Sequence, residues 1–110
     1  MALMDRVLDL IREIEPDLEL KYNKHYVVPE RDGIPDNFVQ FRPRRQHLIA
    51  EFRIARSDEL TVRLEDAGFD LLDYNTRWGK YRVRLSTGDV TQRAELLREL
   101  IHRARGLPDD

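Results

Sequence analysis

The sequence predicts an α+β domain: two layers, a mostly antiparallel five-stranded sheet with helices on one face, in the order α-β-β-β-α-β-β-α. Three observations carry this. Residues 3–14 and 90–104 repeat apolar side chains at helical spacing. Residues 47–55 alternate apolar and polar with a period of two, the signature of a half-buried strand. Every connection is short enough for hairpins or adjacent packing, so a mostly antiparallel sheet is expected.

Leu3, Val7, Leu10, Ile11 and Ile14 form the apolar stripe of the first helix. Pro16 ends it, because the residue before a proline is pushed out of the α region. From Leu18 the period changes to two. Leu18, Leu20, Tyr22, Tyr26 and Val28 are expected on one face of a single strand, with Asn23-Lys24 as a bulge or break. Asp32-Gly33 and Pro35 then mark a loop. A strand from Asn37 to Arg42 stops at Pro43, since proline cannot donate to a ladder. The turn PRRQ leads into the strand 47–55, where Leu48, Ala50, Phe52 and Ile54 point inward and His47, Ile49, Glu51 and Arg53 point outward.

Ser57 is placed to cap a second helix, with Asp58 and Glu59 where the helix dipole favours negative charge. Leu60, Leu64 and Ala67 are its buried stripe. Gly68 is the expected left-handed C-cap, and Phe69 comes next, where it would pack back onto Leu64. A short strand near 70–74, a turn at Asn75-Thr76 and a strand 79–86 complete the sheet. In the last of these Tyr81, Val83 and Leu85 face in, while Lys80, Arg82 and Arg84 face out. Asp89, with Gln92 three residues on, reads as a capping box for a helix that carries Val90, Ala94, Leu97, Ile101 and Ala104 to Gly106, with Pro108 beyond. Leu48, Phe52, Val83, Leu97 and Ile101 are expected in the core.

All 110 residues fit one domain with one core. The charged fraction, 36%, is high and the apolar fraction, 41%, modest, which suits a thin domain with much of each element in water. The net charge of −2 gives no global attraction to nucleic acid or acidic membrane. Its distribution is uneven. Residues 42–56 hold five arginines against Glu51, and residues 77–84 hold Arg77, Lys80, Arg82 and Arg84 with no acid, so the remainder is strongly acidic. The chain has no cysteine, which excludes disulfides and thiolate zinc sites. It has no signal-type h-region and no run long enough to span a bilayer, and a cytoplasmic location is expected.

The stretches KYNKHYVV (21–28), NFVQFRPRRQHL (37–48), EFRI (51–54) and RWGKYRVRL (77–85) together resemble a small bacterial domain of unknown function. That domain usually sits at the C-terminal end of longer proteins, including ATPases, restriction-type nucleases and predicted transport proteins. The likeness runs from about Leu18 to the end. It implies an accessory module and brings no catalytic set. These 110 residues depart from the usual arrangement in showing no attached larger domain.

Outward positions of the strands would carry Gln40, Arg42, His47, Arg53, Lys80, Arg82 and Arg84, with Arg44 and Arg45 in the adjoining turn and Trp78 and Phe38 nearby. Cations that track phosphates and rings that stack bases are what single-stranded nucleic-acid platforms use. The expected function is therefore a non-catalytic, nucleic-acid-binding accessory module, with Arg42, Arg44, Arg45, Arg53, Trp78, Lys80, Arg82 and Arg84 as its site. The plainer competing reading is a solvated strand face cross-paired with Glu51 and Asp73. For Trp78 it is a core-capping indole bonded to a loop carbonyl. One alternative function is a protein-interaction or dimerisation module docking through the open face and Trp78. A second is a divergent metal-dependent nuclease, with Asp36 and Glu51 as Mg²⁺ ligands and Arg53 in place of the usual lysine. His25, His47 and His102 lack metal-ligand spacing. No nucleophile elbow or phosphate-cradling glycine loop is present, so no enzyme activity and no cofactor are expected.

Overall fold

Phe52 is fully buried, and with it the register of the central strand is fixed: Leu48, Ala50, Phe52 and Ile54 all face the core. The computed structural model describes residues 2–106. They form α1 (Ala2–Arg12), β1 (Glu19–Tyr22), β2 (Val27–Arg31), β3 (Ile34–Pro35), β4 (Val39–Pro43), β5 (Leu48–Arg53), α2 (Asp58–Asp66), β6 (Asp70–Leu71), β7 (Lys80–Leu85), α3 (Thr87–Gln92) and α4 (Ala94–Arg105). The sheet runs β1-β2-β4-β5-β7-β6, with β3 paired to β2 off this path. All these pairings are antiparallel.

The class is therefore α+β with an open antiparallel sheet, but of seven strands rather than five. Two departures account for the difference. The run 18–28 is not one bulged strand. It reverses at Asn23–Tyr26, closed by the Asn23 N–H to Tyr26 carbonyl bond at 2.8 Å. The reversal changes the parity of β2. Tyr22 pairs with Val27, so Val27 shares its face and Val28 turns to the opposite one. The second departure is at Asp32-Gly33, expected as part of a longer loop, through Pro35, between antiparallel strands. Asp32 (φ 52°) and Gly33 (φ 79°) both adopt positive φ, the two-residue geometry that matches strand twist, and so close a hairpin between β2 and β3.

The apolar stripes of α1, α2 and α4 share one cluster with Phe41, Ala50, Phe52, Tyr81, Val83 and Leu85 from one face of the sheet. The five residues expected in the core are all buried there. Phe38, Phe41 and Phe52 are its largest fully enclosed side chains, each contributing about 1.5–3 kcal/mol by removal from water. Phe38, expected near the outer face, thus belongs to the core, with the Arg105 guanidinium 5.1 Å over its ring.

The ends of α2 form as the sequence directs. The Leu60 N–H donates to Ser57 Oγ at 3.2 Å. At the other end the Phe69 N–H bonds the Leu64 carbonyl and the Gly68 N–H bonds the Glu65 carbonyl, with Gly68 at φ 92°, so that Phe69 is folded back into the core. The last helix differs from expectation. Ser86, not Asp89, is its N-cap, and Asp89 Oδ2 accepts from the Ser86 N–H at 2.8 Å. It then divides at Arg93, whose guanidinium leaves the helix surface to bond the Ala67 carbonyl at the end of α2 and Asp89. Gly106 takes the left-handed C-cap at φ 82°, and Pro108 lies outside the described residues.

Candidate functional site

The sheet face turned away from the helix stripes is built by alternation in β4, β5 and β7. Cross-strand register places Gln40 opposite Glu51, Arg42 opposite Ile49, Glu51 opposite Arg82, Ile49 opposite Arg84 and Arg53 opposite Lys80. Asp70 of β6 lies opposite Arg84. Over β4, β5, β7 and β6 this face therefore holds five cations, Arg42, Arg53, Lys80, Arg82 and Arg84, against two carboxylates, Glu51 and Asp70. Glu19 and Glu30, paired across β1 and β2, continue the same face and bound the basic area on that side.

Glu51 was expected on the outer face, in the plainer reading as the cross-strand partner of its cations, and two of them do pair with it. It is only 4% exposed, although it lies on the outer face. The cover comes from the arginines beside it: Arg82 donates from Nε to Glu51 Oε2 at 2.9 Å, and Arg42 from Nε to Oε1 at 3.4 Å. Long arginine stems shield apolar and polar neighbours while their heads stay in water, which also accounts for the burial of Ile49. Both bonds use Nε. The guanidiniums are steadied side-on, an arrangement that leaves the terminal nitrogens for an external acceptor. Arg84 pairs with Asp70 at 2.8 Å, an acid not among the two, Glu51 and Asp73, expected to pair with this face. Lys80 donates to the neutral Gln40 Oε1 at 2.9 Å and keeps its charge uncompensated there. Arg53 is exposed directly across from Lys80, and like charges in that relation repel.

Not all the expected site residues come together. Arg44 and Arg45 lie exposed in the β4–β5 turn, closed by the Arg44 N–H to His47 carbonyl bond at 2.9 Å. Trp78 precedes β7 at the Lys80 end, and the length of a six-residue strand, roughly 20 Å, separates the two ends. Trp78 is 61% exposed, with the Arg77 guanidinium 5.1 Å over its ring, and so does not cap the core.

Beside the β4–β5 turn lies a cleft of about 560 Å³ that the sequence reading missed. Its lining is Tyr22, Asn23, Lys24, His25, Tyr26, Val27, Arg42, Pro43 and Arg44. It exists because the turns 23–26 and 44–47 project from the same end of the sheet, as the Val27–Phe41 pairing requires. Arg42 belongs both to this cleft and to the basic face. The signal was present in the sequence as two tyrosines flanking the lapse in alternation at Asn23-Lys24.

The two carboxylates of the nuclease reading are each engaged elsewhere. Asp36 accepts from Arg105 and Glu51 from Arg42 and Arg82. Among the described residues no group of three or more His, Cys, Asp or Glu side chains is placed to hold a metal ion, and no helix is long and apolar enough to cross a membrane. Compared with protein-family profiles, curated proteins and solved structures, the chain finds no match.

Proposed function

We propose that this domain is a non-catalytic accessory module that binds single-stranded nucleic acid across the outer face of β4, β5 and β7. The observation that carries the reading is the excess of cations on that face. Five basic side chains face two carboxylates, and the Arg53–Lys80 pair stands uncompensated by any acid opposite it. A phosphate between these two would relieve their repulsion. The acidic remainder of the chain lies largely on the helices and loops, so a polyanion is steered to one side despite the net charge of −2. Aromatic residues lie beyond both ends of the face: Trp78 at one, and Tyr26 in the cleft at the other. Rings at the ends of a cationic strip suit unstacked bases better than a duplex.

The test is a titration against single- and double-stranded DNA and RNA at two salt concentrations. Three to five phosphate contacts predict a log–log salt slope between about −2 and −3.5 for single strands. No binding at low salt would reject the proposal. A second reading, protein docking or self-association, rests on the exposure of Ile34 (70%) and Trp78 at the same end of the sheet. Self-association that persists at high salt would favour it, because screening weakens a charged interface and not an apolar one.

A further inference from the structure

We infer that the cleft between the two hairpin turns is a nucleotide subsite, holding one splayed nucleotide by its base and its phosphate together. The inference rests on the nucleic-acid reading above and deepens it, since it assigns a place and a chemistry to the end of the sheet where the basic face runs into the two turns.

Four features point to this occupant. The cleft is lined by Lys24, Arg42 and Arg44 and by no carboxylate at all, so an anionic group is favoured within it. Tyr22, Tyr26 and His25 supply flat rings in the same lining. Tyr22 is 58% exposed, an aromatic face presented to solvent on the edge strand. The volume, about 560 Å³, falls in the range of small-ligand clefts, and a nucleotide fills such a space. Arg42 connects the cleft to the basic face, where Glu51 already holds its Nε. A strand lying on β5 and β7 therefore reaches the cleft without leaving cationic surface. The Asn23–Tyr26 and Arg44–His47 bonds close both turns tightly, so the cleft walls are backbone-supported rather than loose loop tips.

The chemistry distinguishes this site from a bare phosphate site. A phosphate needs only the cations, whereas a nucleotide also uses the rings. Stacking on one aromatic side chain changes affinity by about tenfold. Nor does the site require a defined sequence, because each base offers a π-face to a tyrosine.

The experiment is an amide-shift NMR titration with adenosine monophosphate and, separately, ribose 5-phosphate, on the wild-type chain, Tyr22→Ala and Lys80→Glu. Adenosine monophosphate is expected to move the amides of residues 22–27 and 42–44 and to bind about tenfold more tightly than ribose 5-phosphate. Tyr22→Ala, at an exposed position, should abolish that difference while leaving the ribose 5-phosphate affinity unchanged. Lys80→Glu, at the far end of β7, should leave mononucleotide binding within about twofold while weakening binding of a single-stranded oligonucleotide. Equal binding of the two small ligands, or shifts confined to other residues, would overturn the inference. If oligonucleotides fail to bind while adenosine monophosphate still maps to the cleft, the sheet-face reading falls and the subsite stands. If oligonucleotides bind and the cleft amides do not respond to adenosine monophosphate, only the subsite falls.

Discussion

Arg82 holds Glu51 from the neighbouring strand, Nε to Oε2 at 2.9 Å, and the carboxylate beneath it is almost wholly enclosed. Glu51 thereby sets the orientation of two arginines, since Arg42 bonds its other oxygen. Stability and binding depend on this carboxylate in opposite senses. Glu51→Gln removes the charge partner of both guanidiniums and should lower unfolding free energy by about 1–2 kcal/mol, less than for a fully buried pair because both arginine heads reach water. The same change removes a negative charge from the face. The variant should unfold at lower urea concentration yet bind single strands at least as tightly as wild type. Parallel loss of stability and affinity would show that positioning of Arg42 and Arg82 outweighs the charge gained.

Trp78 is the chain's one tryptophan and is largely exposed, so its fluorescence reports on its surroundings without reporting on the core. Titration with a single-stranded oligonucleotide should quench it. Trp78→Ala should leave stability within about 0.5 kcal/mol and weaken single-strand binding by about tenfold. An emission spectrum unaffected by saturating oligonucleotide would remove Trp78 from the interface.

Acid stability should depend on carboxylates far from the proposed interface. Glu15 is held below its ordinary value of 4.5 by hydrogen bonding to Arg105, against a smaller opposing cost of burial, with Arg31 adding to the depression. Glu99 is lowered in the same way, chiefly by Arg63, and Glu13 by Arg98. A carboxylate depressed in the folded state contributes stability that is present above its unfolded pKa and is lost as pH falls through the folded one. Urea midpoints should therefore hold from neutral pH to about 5 and fall below the ordinary carboxylate range near 4.5. Glu15→Gln should lower the plateau and flatten the acid limb, and an unchanged acid limb would exclude this network as a contributor.

The elements legible in the sequence are those whose residues carry their own instructions. Strand β5 was legible because strict alternation has one buried face and a slip of one residue would expose Phe52. The ends of α2 were legible because Ser57 and Gly68-Phe69 are residue types with a specific backbone task. The 23–26 turn was not. It has no glycine or proline, and none of its residues adopts positive φ, so no residue type is demanded there. Missing that reversal also hid the cleft and put Val28 on the wrong face. The division at Arg93 was equally silent, because neither glycine nor proline stands at it; the Arg93 side chain there bonds the Ala67 carbonyl and Asp89. The cationic face was legible as composition. The burial of Glu51 was not, because it depends on two arginine stems from different strands closing over one carboxylate.

The central claim is that one face, and not net charge, binds the polyanion. It is tested most directly by comparing single-strand affinity at low salt for Lys80→Glu, on the outer face of β7, and Arg6→Glu, exposed on α1. The two variants reverse one charge each and have the same net charge. The account predicts that Lys80→Glu weakens binding by about tenfold and Arg6→Glu by less than about twofold, with the salt slope reduced only in the first. Equal weakening by both variants, or none by Lys80→Glu, would contradict it.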